Sequence, residues 1–222
     1  MEICSDCSTS ILLDHLLIPA GTKLVIWADS VSSSIWEYLP RSLDNLKDFS
    51  NFTTTKLHPD RYRPHMKFSG PNGQVEMTFG SSRDNPSGSV FEYLAELDTS
   101  NIEQLEINDG RFLAGDLLYQ KLLPMKNLRT LTLSKCRHPD IFISALQPAT
   151  GSSEVVACPR LEELVLALHP QETMSHITSV TKMAVARELR GEKLRTVRIV
   201  GGRDAANFDV SELRKHVWNV EY

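Results

Sequence analysis

The spacing of apolar residues over positions 127–136, NLRTLTLSKC, constrains the fold of this chain more than any other feature. It reads Leu128-x-x-Leu131-x-Leu133-x-x-Cys136. Side chains of a strand alternate between its two faces, so Leu131 and Leu133 point to the same side. Leu128 can join them from the bend where the chain enters the strand. One such unit cannot bury its own apolar edge, so it requires a similar unit on each side.

The pattern recurs three more times in the same phase. The other copies are Ile102-x-x-Leu105-x-Ile107, Leu161-x-x-Leu164-x-Leu166 and Leu194-x-x-Val197-x-Ile199. Their last apolar positions, 107, 133, 166 and 199, lie 26, 33 and 33 residues apart, which accommodates a strand, a helix and two turns. Cys136 stands where leucine-rich repeats place a small polar residue that bonds to the backbone. The spacing therefore predicts an α/β leucine-rich-repeat-like solenoid, with a parallel sheet on one face and helices on the other.

Helical patterns lie between these predicted strands. We expect helices over residues 112–123, 140–146, 171–190 and 210–217, and a final strand over 218–222. In the longest helix the expected core residues are Ile177, Val180, Met183, Ala184 and Leu189. Gly191 is expected to end it, because glycine readily adopts the left-handed conformation that closes a helix.

The first hundred residues follow the repeat less regularly. Two alternating apolar runs flank Gly70-Pro71-Asn72-Gly73, which predicts a β-hairpin inserted near residues 65–79. We expect one leucine-rich-repeat-like domain over residues 1–222, irregular over 1–100 and more regular over 101–222. Met1-Glu2-Ile3 reads as the tail of a repeat strand, so we also expect that the chain begins inside a solenoid.

The composition limits the classes of partner. The chain has 222 residues, a formal net charge of -4 and a pI of about 6.0, which does not favour nucleic acid as a partner. No apolar run approaches the roughly 18–20 residues that span a bilayer, so no membrane association is expected. The start, MEICSD, lacks the basic and apolar regions of a signal peptide. We therefore expect the cytoplasm or the nucleus as its location.

The sequence offers no catalytic, metal or cofactor site. Cys4 and Cys7 form a CxxC, but no second pair of ligands follows at zinc spacing, so two reduced cysteines in a repeat turn is the favoured interpretation over a metal or redox pair. The seven histidines show no HxxxH or HxH spacing. Neither a nucleophile elbow nor a phosphate-binding glycine motif is present. We expect no enzymatic activity and no cofactor.

The outward side chains of the predicted parallel strands form the candidate site. They are expected to stack in two rows, Gln104-Thr130-Glu163-Thr196 and Glu106-Thr132-Val165-Arg198. Solenoids use such sheets as binding surfaces. The alternative is a solvated sheet face, and the rows contain no aromatic anchor of the kind that dominates tight interfaces.

Several segments together resemble one protein family. They are LLDHLLIPAGTKLVIW (12–27), SGPNGQVEMTF (69–79), RGEKLRTVRIVGG (190–202) and LRKHVWNVEY (213–222). In this combination the chain resembles the C-terminal repeat region of basidiomycete F-box proteins with leucine-rich-like repeats. In that family the F-box helices dock a ubiquitin ligase adaptor and the repeats choose the substrate. The sequence differs from the family in having no F-box, so an adaptor is implied as a partner only if an F-box lies upstream.

The function expected from these features is a non-enzymatic protein–protein interaction domain. The resemblance implies the substrate-recognition repeats of an F-box type ubiquitin ligase receptor, with a protein partner that the sequence does not identify. One alternative is a scaffold or interaction module unrelated to ubiquitination. Another is a small α/β enzyme, for which a doubly wound sheet with a pocket at a reversal of strand order would be diagnostic.

Overall fold

The computed structural model describes residues 2–5, 13, 15, 18–28, 35, 38–39, 51–58, 63–80, 93–94, 96–108, 115–136, 138–148, 155–168, 175–201 and 209–222. In these ranges the chain is a mixed α/β protein with mostly parallel strands. It divides into two compact units, Met1–Ile102 and Glu103–Tyr222. The single domain expected from the sequence stays a prediction.

The first unit contains strands that follow each other out of chain order. They are β1 (Glu2–Ser5), β2 (Lys23–Ala28), β3 (Thr54–His58), β4 (His65–Gly70) and β5 (Gly73–Phe79), in the order β1-β2-β5-β4-β3. β1, β2 and β5 are parallel, whereas β3, β4 and β5 are antiparallel neighbours. β4 and β5 form the hairpin that the sequence predicts, with Gly70 opposite Gly73 at its turn.

Alternating side chains place the core of the first unit on one side of these strands. The buried residues of β2 and β5 are Leu24, Ile26, Ala28, Val75, Met77 and Phe79. The rings of Tyr38, Phe79 and Tyr93 pack together with centroids 5.3–6.4 Å apart. Aromatic pairs at such distances add to the stability that burial itself provides.

The second unit alternates strands and helices. Its strands are β6 (Gln104–Asn108), β7 (Thr130–Ser134), β8 (Glu163–Leu168), β9 (Thr196–Gly201) and β10 (Asn219–Glu221), all parallel and in chain order. The helices between them are α1 (Gly115–Leu122), α2 (Pro139–Ala145), α3 (Ser175–Glu188) and α4 (Leu213–His216). Consecutive helices contact each other. The predicted helix over 210–217 is reduced to one turn, and residues 112–114 and 171–174 lie outside the described residues.

The apolar residues of β6–β9 stand in register. Leu105, Leu131, Leu164 and Val197 pair across neighbouring strands, as do Ile107, Leu133, Leu166 and Ile199. Each of these side chains is at most 2% exposed. They form two continuous buried rows, here called the apolar seam, and their register is the one that the sequence spacing predicts.

Cys136 occupies the turn after β7. It is 3% exposed, and its Sγ lies 3.6 Å from the carbonyl oxygen of Ile107 and 3.7 Å from that of Ser134. Lys135 before it has a φ of 53°. The thiol can therefore donate to backbone of the preceding strand, which is the small polar contact expected at this position.

Helix α3 differs from the sequence prediction at its end. Ile177 and Val180 are buried as expected, as are Met183 and Ala184, but Leu189 is 79% exposed, so its assignment to the core is wrong. The reason is that α3 ends at Glu188 and Leu189 lies in the turn beyond it. Gly191, with a φ of 78°, closes that turn as predicted.

Arg187, not Leu189, completes the buried stripe of α3. Its side chain is 0% exposed. Its guanidinium donates to the carbonyl oxygens of Ala157 at 3.0 Å, Cys158 at 2.8 Å and Leu146 at 3.5 Å, and lies 3.5 Å from Oε2 of Glu192. Burial lowers the pKa of Arg187, and the nearby Glu192 carboxylate opposes that shift. Arg187 thus ties α3 to the segment that leads into β8.

Candidate interaction surface

The candidate residues lie on the outward face of β6–β9, opposite in direction to the apolar seam. This outward face is defined by Gln104, Glu106, Thr130, Thr132, Glu163, Val165, Thr196 and Arg198. None of them is buried, whereas the residues between them in each strand are. Their exposure follows from strand alternation, because neighbours of an inward residue point outward.

Pairing between strands brings these eight residues into two continuous rows. One row runs through Gln104, Thr130, Glu163 and Thr196, and the other through Glu106, Thr132, Val165 and Arg198. The structure therefore assembles the rows that the sequence spacing predicts. Their role in binding a partner stays a prediction.

Strand β10 extends both rows by one residue. Asn219 pairs with Thr196, and Glu221 pairs with Arg198. These two residues are not among those that the sequence spacing predicts for the site. The signal that could have found them is Val217-x-x-Val220-x-Tyr222, which repeats the earlier spacing with weaker apolar residues.

Arg198 is held between two carboxylates. Its Nε lies 2.6 Å from Oε2 of Glu221, and its Nη2 lies 3.4 Å from Oε1 of Glu163. Asn219 donates from Nδ2 to the other oxygen of Glu221 at 2.8 Å. The hydrogen bond from Arg198 is the main cause that lowers the pKa of Glu221, and the bond to Glu221 is the main cause that raises the pKa of Arg198.

This arrangement changes the charge pattern that the sequence suggests. The eight residues alone run from acidic Glu106 to basic Arg198, but Glu221 places a further carboxylate beyond the arginine. The extended rows contain three carboxylates, on Glu106, Glu163 and Glu221, and one guanidinium, on Arg198, so their formal charge is -2. Thr130 adds a weak contact, donating to Oε2 of Glu163 at 3.5 Å.

A second set of charges lines the edge where the chain enters the strands. Glu103, Arg129, Glu162 and Arg195 each precede an outward residue by one position. Arg129 lies 2.8 Å from Glu162, and Arg195 lies 3.7 Å from the other oxygen of Glu162. Exposed pairs of this kind contribute only about 0–1 kcal/mol each. They alternate in sign, so this edge carries little net charge.

A cleft between α2 and α3 is a candidate for a catalytic site, because polar side chains line it. It measures about 380 Å³ and is lined in part by Asp140, Ser144, Ser179 and Lys182. Oδ2 of Asp140 lies 2.6 Å from Nδ1 of His176, a pairing that orients the general base in many hydrolases. Among the described residues, however, no hydroxyl or thiol hydrogen-bonds to His176. The pair therefore supports no catalytic assignment.

The described cysteines have structural environments. Cys136 and Cys158 are buried, and Cys158 lies with its Sγ 3.4 Å from the carbonyl oxygen of Leu122. Burial raises the pKa of Cys158 to about 12, so its thiol stays protonated and is a poor nucleophile at neutral pH. Cys7 and the side chain of Cys4 lie outside the described residues. In the part of the chain that the structure describes, no group of three potential ligands could hold a metal ion.

Comparison of the chain with protein-family models, curated proteins and solved structures finds no match in any of the three. Among the described helices, none has both the length and the apolar character needed to cross a lipid bilayer.

Proposed function

We propose that this chain is a non-enzymatic protein-interaction domain built as a leucine-rich-repeat-like solenoid. The observation that carries the proposal is the pair of continuous outward rows on the side of the strands opposite the fully buried seam. Parallel strands repeated in chain order create a regular surface several strands wide, and solenoids bind partners on such surfaces. The contact between Cys136 and Ile107 also favours a leucine-rich-repeat-like assignment.

The charge of the surface favours a partner with basic side chains. The extended rows carry a formal charge of -2, and Thr132 and Val165 provide a small, weakly polar centre between the charged positions. Electrostatic complementarity of this kind mainly affects the association rate and the choice of partner.

The order of strands in the second unit favours binding over catalysis. Doubly wound enzymes bind their ligands where strand order reverses. Strands β6–β10 follow chain order without a reversal. A small α/β enzyme is therefore the less favoured proposal.

The resemblance to basidiomycete F-box proteins suggests a more specific role for this interaction domain. In this proposal the chain forms the substrate-recognition repeats of an F-box type ubiquitin ligase receptor that works in the cytoplasm or the nucleus. The rival is a scaffold unrelated to ubiquitination. The genomic sequence upstream separates the two proposals. An F-box in frame supports the receptor, and an upstream coding sequence without one supports the scaffold.

The binding surface can be tested by comparing proteins captured by three forms of the chain. Val165→Arg with Thr132→Arg adds bulk and positive charge to the centre of the outward face without altering the seam. Lys182→Glu changes an exposed residue of α3 and serves as the control. We expect a protein that binds the parent and the Lys182 variant but not the double variant. Equal capture by all three forms would contradict the assigned surface.

A further inference from the structure

The contact between α3 and α4 involves a helix that is too short to be stable by itself. Helix α4 comprises only four residues, Leu213–His216. An isolated helical turn is unstable in water, so α4 depends on contacts with the rest of the second unit. Leu213 is 0% exposed, and Val217, the residue after the helix, is 3% exposed. These two apolar side chains anchor α4, and charged side chains add contacts between α4 and α3.

His216, the last residue of α4, lies between two carboxylates from different elements. Its Nδ1 lies 2.6 Å from Oε2 of Glu188, which is the last residue of α3. Its Nε2 lies 3.5 Å from Oε1 of Glu212, which precedes α4. One ring nitrogen therefore reaches across to α3, and the other faces the start of its own helix.

Two lysines accompany these carboxylates. Nζ of Lys193, in the turn after α3, lies 2.7 Å from the other oxygen of Glu188, and Nζ of Lys215 lies 2.5 Å from the other oxygen of Glu212. The hydrogen bond from Lys193 is the largest cause that lowers the pKa of Glu188, and the bond from Lys215 is the largest cause that lowers the pKa of Glu212. His216 lowers both pKa values further. Both carboxyl groups are therefore ionised at neutral pH.

Only the protonated ring of His216 interacts favourably with both carboxylates. An ionised carboxylate can only accept hydrogen bonds, so the short contact with Glu188 assigns a proton to Nδ1. Neutral imidazole carries one N–H, so its Nε2 would direct a lone pair toward Glu212. The imidazolium carries a proton on each nitrogen and attracts both groups. Histidine is the side chain that ordinarily changes its charge between about pH 5 and 8.

We propose that Glu188, Glu212 and His216 form a pH-sensitive clasp, which holds α4 to the end of α3 more tightly when the histidine is protonated. At low pH the imidazolium attracts both carboxylates. As pH rises through the titration of the ring, His216 loses its positive charge and one of its two N–H groups. Leu213 and Val217 stay buried in both states, so the clasp changes how firmly α4 is attached and leaves the fold unchanged.

The clasp also affects the candidate interaction surface, because α4 leads directly into β10. Glu221 of β10 lies 2.6 Å from Arg198, closer than the 3.4 Å that separates Arg198 from Glu163. Weaker attachment of α4 would let β10 separate from β9 more often, which removes the carboxylate of Glu221 from the rows. This effect on binding rests on the proposed function, whereas the clasp itself does not.

Amide hydrogen exchange of the full chain tests the clasp without any partner. Exchange rates over residues 213–221, corrected for the intrinsic effect of pH on exchange, report how often α4 and β10 open. We expect protection to be about two- to fivefold greater at about pH 5.5 than at about pH 8, which is the effect of losing weak, partly exposed ion pairs. Equal protection at the two pH values would overturn the proposal.

A variant of His216 separates the clasp from the other histidines. In His216→Gln the side chain keeps a neutral N–H donor but cannot gain a charge, so residues 213–221 should lose most of the difference in protection between the two pH values. His138→Gln replaces an exposed histidine outside the clasp and should behave like the parent. A His216 variant that keeps the pH dependence of the parent would contradict the proposal.

The nitrogen chemical shifts of the His216 ring provide a readout of the clasp that requires no substitution. We expect Nδ1 to keep its proton on both sides of the titration, because Glu188 accepts from it, and Nε2 to lose its proton as pH rises. A neutral ring with the proton on Nε2 would overturn the proposed geometry.

Discussion

Arg187 shows how one residue can connect a helix to a distant segment. Two of the backbone carbonyls that it binds belong to Ala157 and Cys158, about thirty residues earlier in the chain. A buried carbonyl that loses its donor costs roughly 1–3 kcal/mol. Arg187 also faces the partly buried carboxylate of Glu192. These carbonyl oxygens and the Glu192 carboxylate therefore compensate the cost of burying the charged Arg187 side chain.

Replacing this side chain should destabilise the protein strongly. For Arg187→Met we expect a loss of about 3 kcal/mol or more in the free energy of unfolding, because the carbonyls and Glu192 lose their partner. Urea unfolding measures this loss. Arg190→Met, three residues on and exposed, is the control and should cost less than about 1 kcal/mol. Similar losses in the two variants would show that the contacts of Arg187 contribute little.

The seam and the outward face should respond oppositely to substitution. Leu131→Asp or Leu164→Asp buries an unpaired charge in a fully covered row and should cost at least about 3 kcal/mol. Thr132→Ala, on the opposite side of β7, should change stability by no more than about 0.5 kcal/mol. Thermal or urea unfolding distinguishes the two cases. An aspartate variant that melts like the parent would show that its position is not inward.

At the scale of elements, Glu76 of β5 connects neighbouring strands of the first unit. Among the described residues on the outward side of strands β2 to β5, it is the only one with a carboxylate. Oε2 of Glu76 lies 2.6 Å from Nζ of Lys23 on β2, and its Oε1 lies 3.2 Å from Nε2 of His65 on β4. The hydrogen bond from Lys23 is the largest cause that lowers the pKa of Glu76. These contacts join β5 to both of its neighbours.

This pKa shift predicts how stability depends on pH. The pKa of Glu76 is lower in the folded protein than in the unfolded chain, where glutamate titrates at about 4.3. Its contribution is therefore complete above the unfolded pKa and is lost as pH falls through the folded pKa. Glu76→Gln should remove this dependence while leaving stability near neutral pH only slightly reduced. Unfolding in urea at several pH values compares the two proteins, and identical acid profiles would contradict the prediction.

At the scale of the whole molecule, stability in the second unit should be shared between neighbouring strands. In the solenoid proposed for this unit, each repeat would contact only the repeats beside it. Leu131 and Leu164 pair directly, whereas Leu105 and Val197 are three strands apart, or about 14 Å at normal strand spacing. The two pairs should therefore behave differently when both members are replaced.

Double-mutant cycles test this expectation. Leu131→Ala with Leu164→Ala should show an interaction energy of about 0.5–3 kcal/mol. Leu105→Ala with Val197→Ala should be additive within about 0.5 kcal/mol. Urea unfolding of the single and double variants supplies the values. Strong coupling in the distant pair would contradict the nearest-neighbour behaviour of a solenoid.

The sequence predicted the candidate surface well but not its charges. Strand alternation is local, so Thr130 and Thr132 could be assigned outward from the letters around them. The pairing of Arg198 with Glu221 could not, because those residues are brought together only when β10 joins β9. In and just after β10, Val220 and Tyr222 stand where the other strands have leucine, isoleucine or valine. This pattern is too weak to predict that β10 pairs with β9.

By itself the sequence determined which side chains of β6–β9 face the seam and which face out, and it located the hairpin near residues 65–79. Both follow from short-range backbone geometry, which needs only a few consecutive residues. Only the tertiary structure decided that β5 joins β2 in the first unit, that α3 buries Arg187 and exposes Leu189, and that carboxylates enclose Arg198. These outcomes depend on hydrogen bonds and contacts between residues far apart in the chain, and no local pattern specifies such partners.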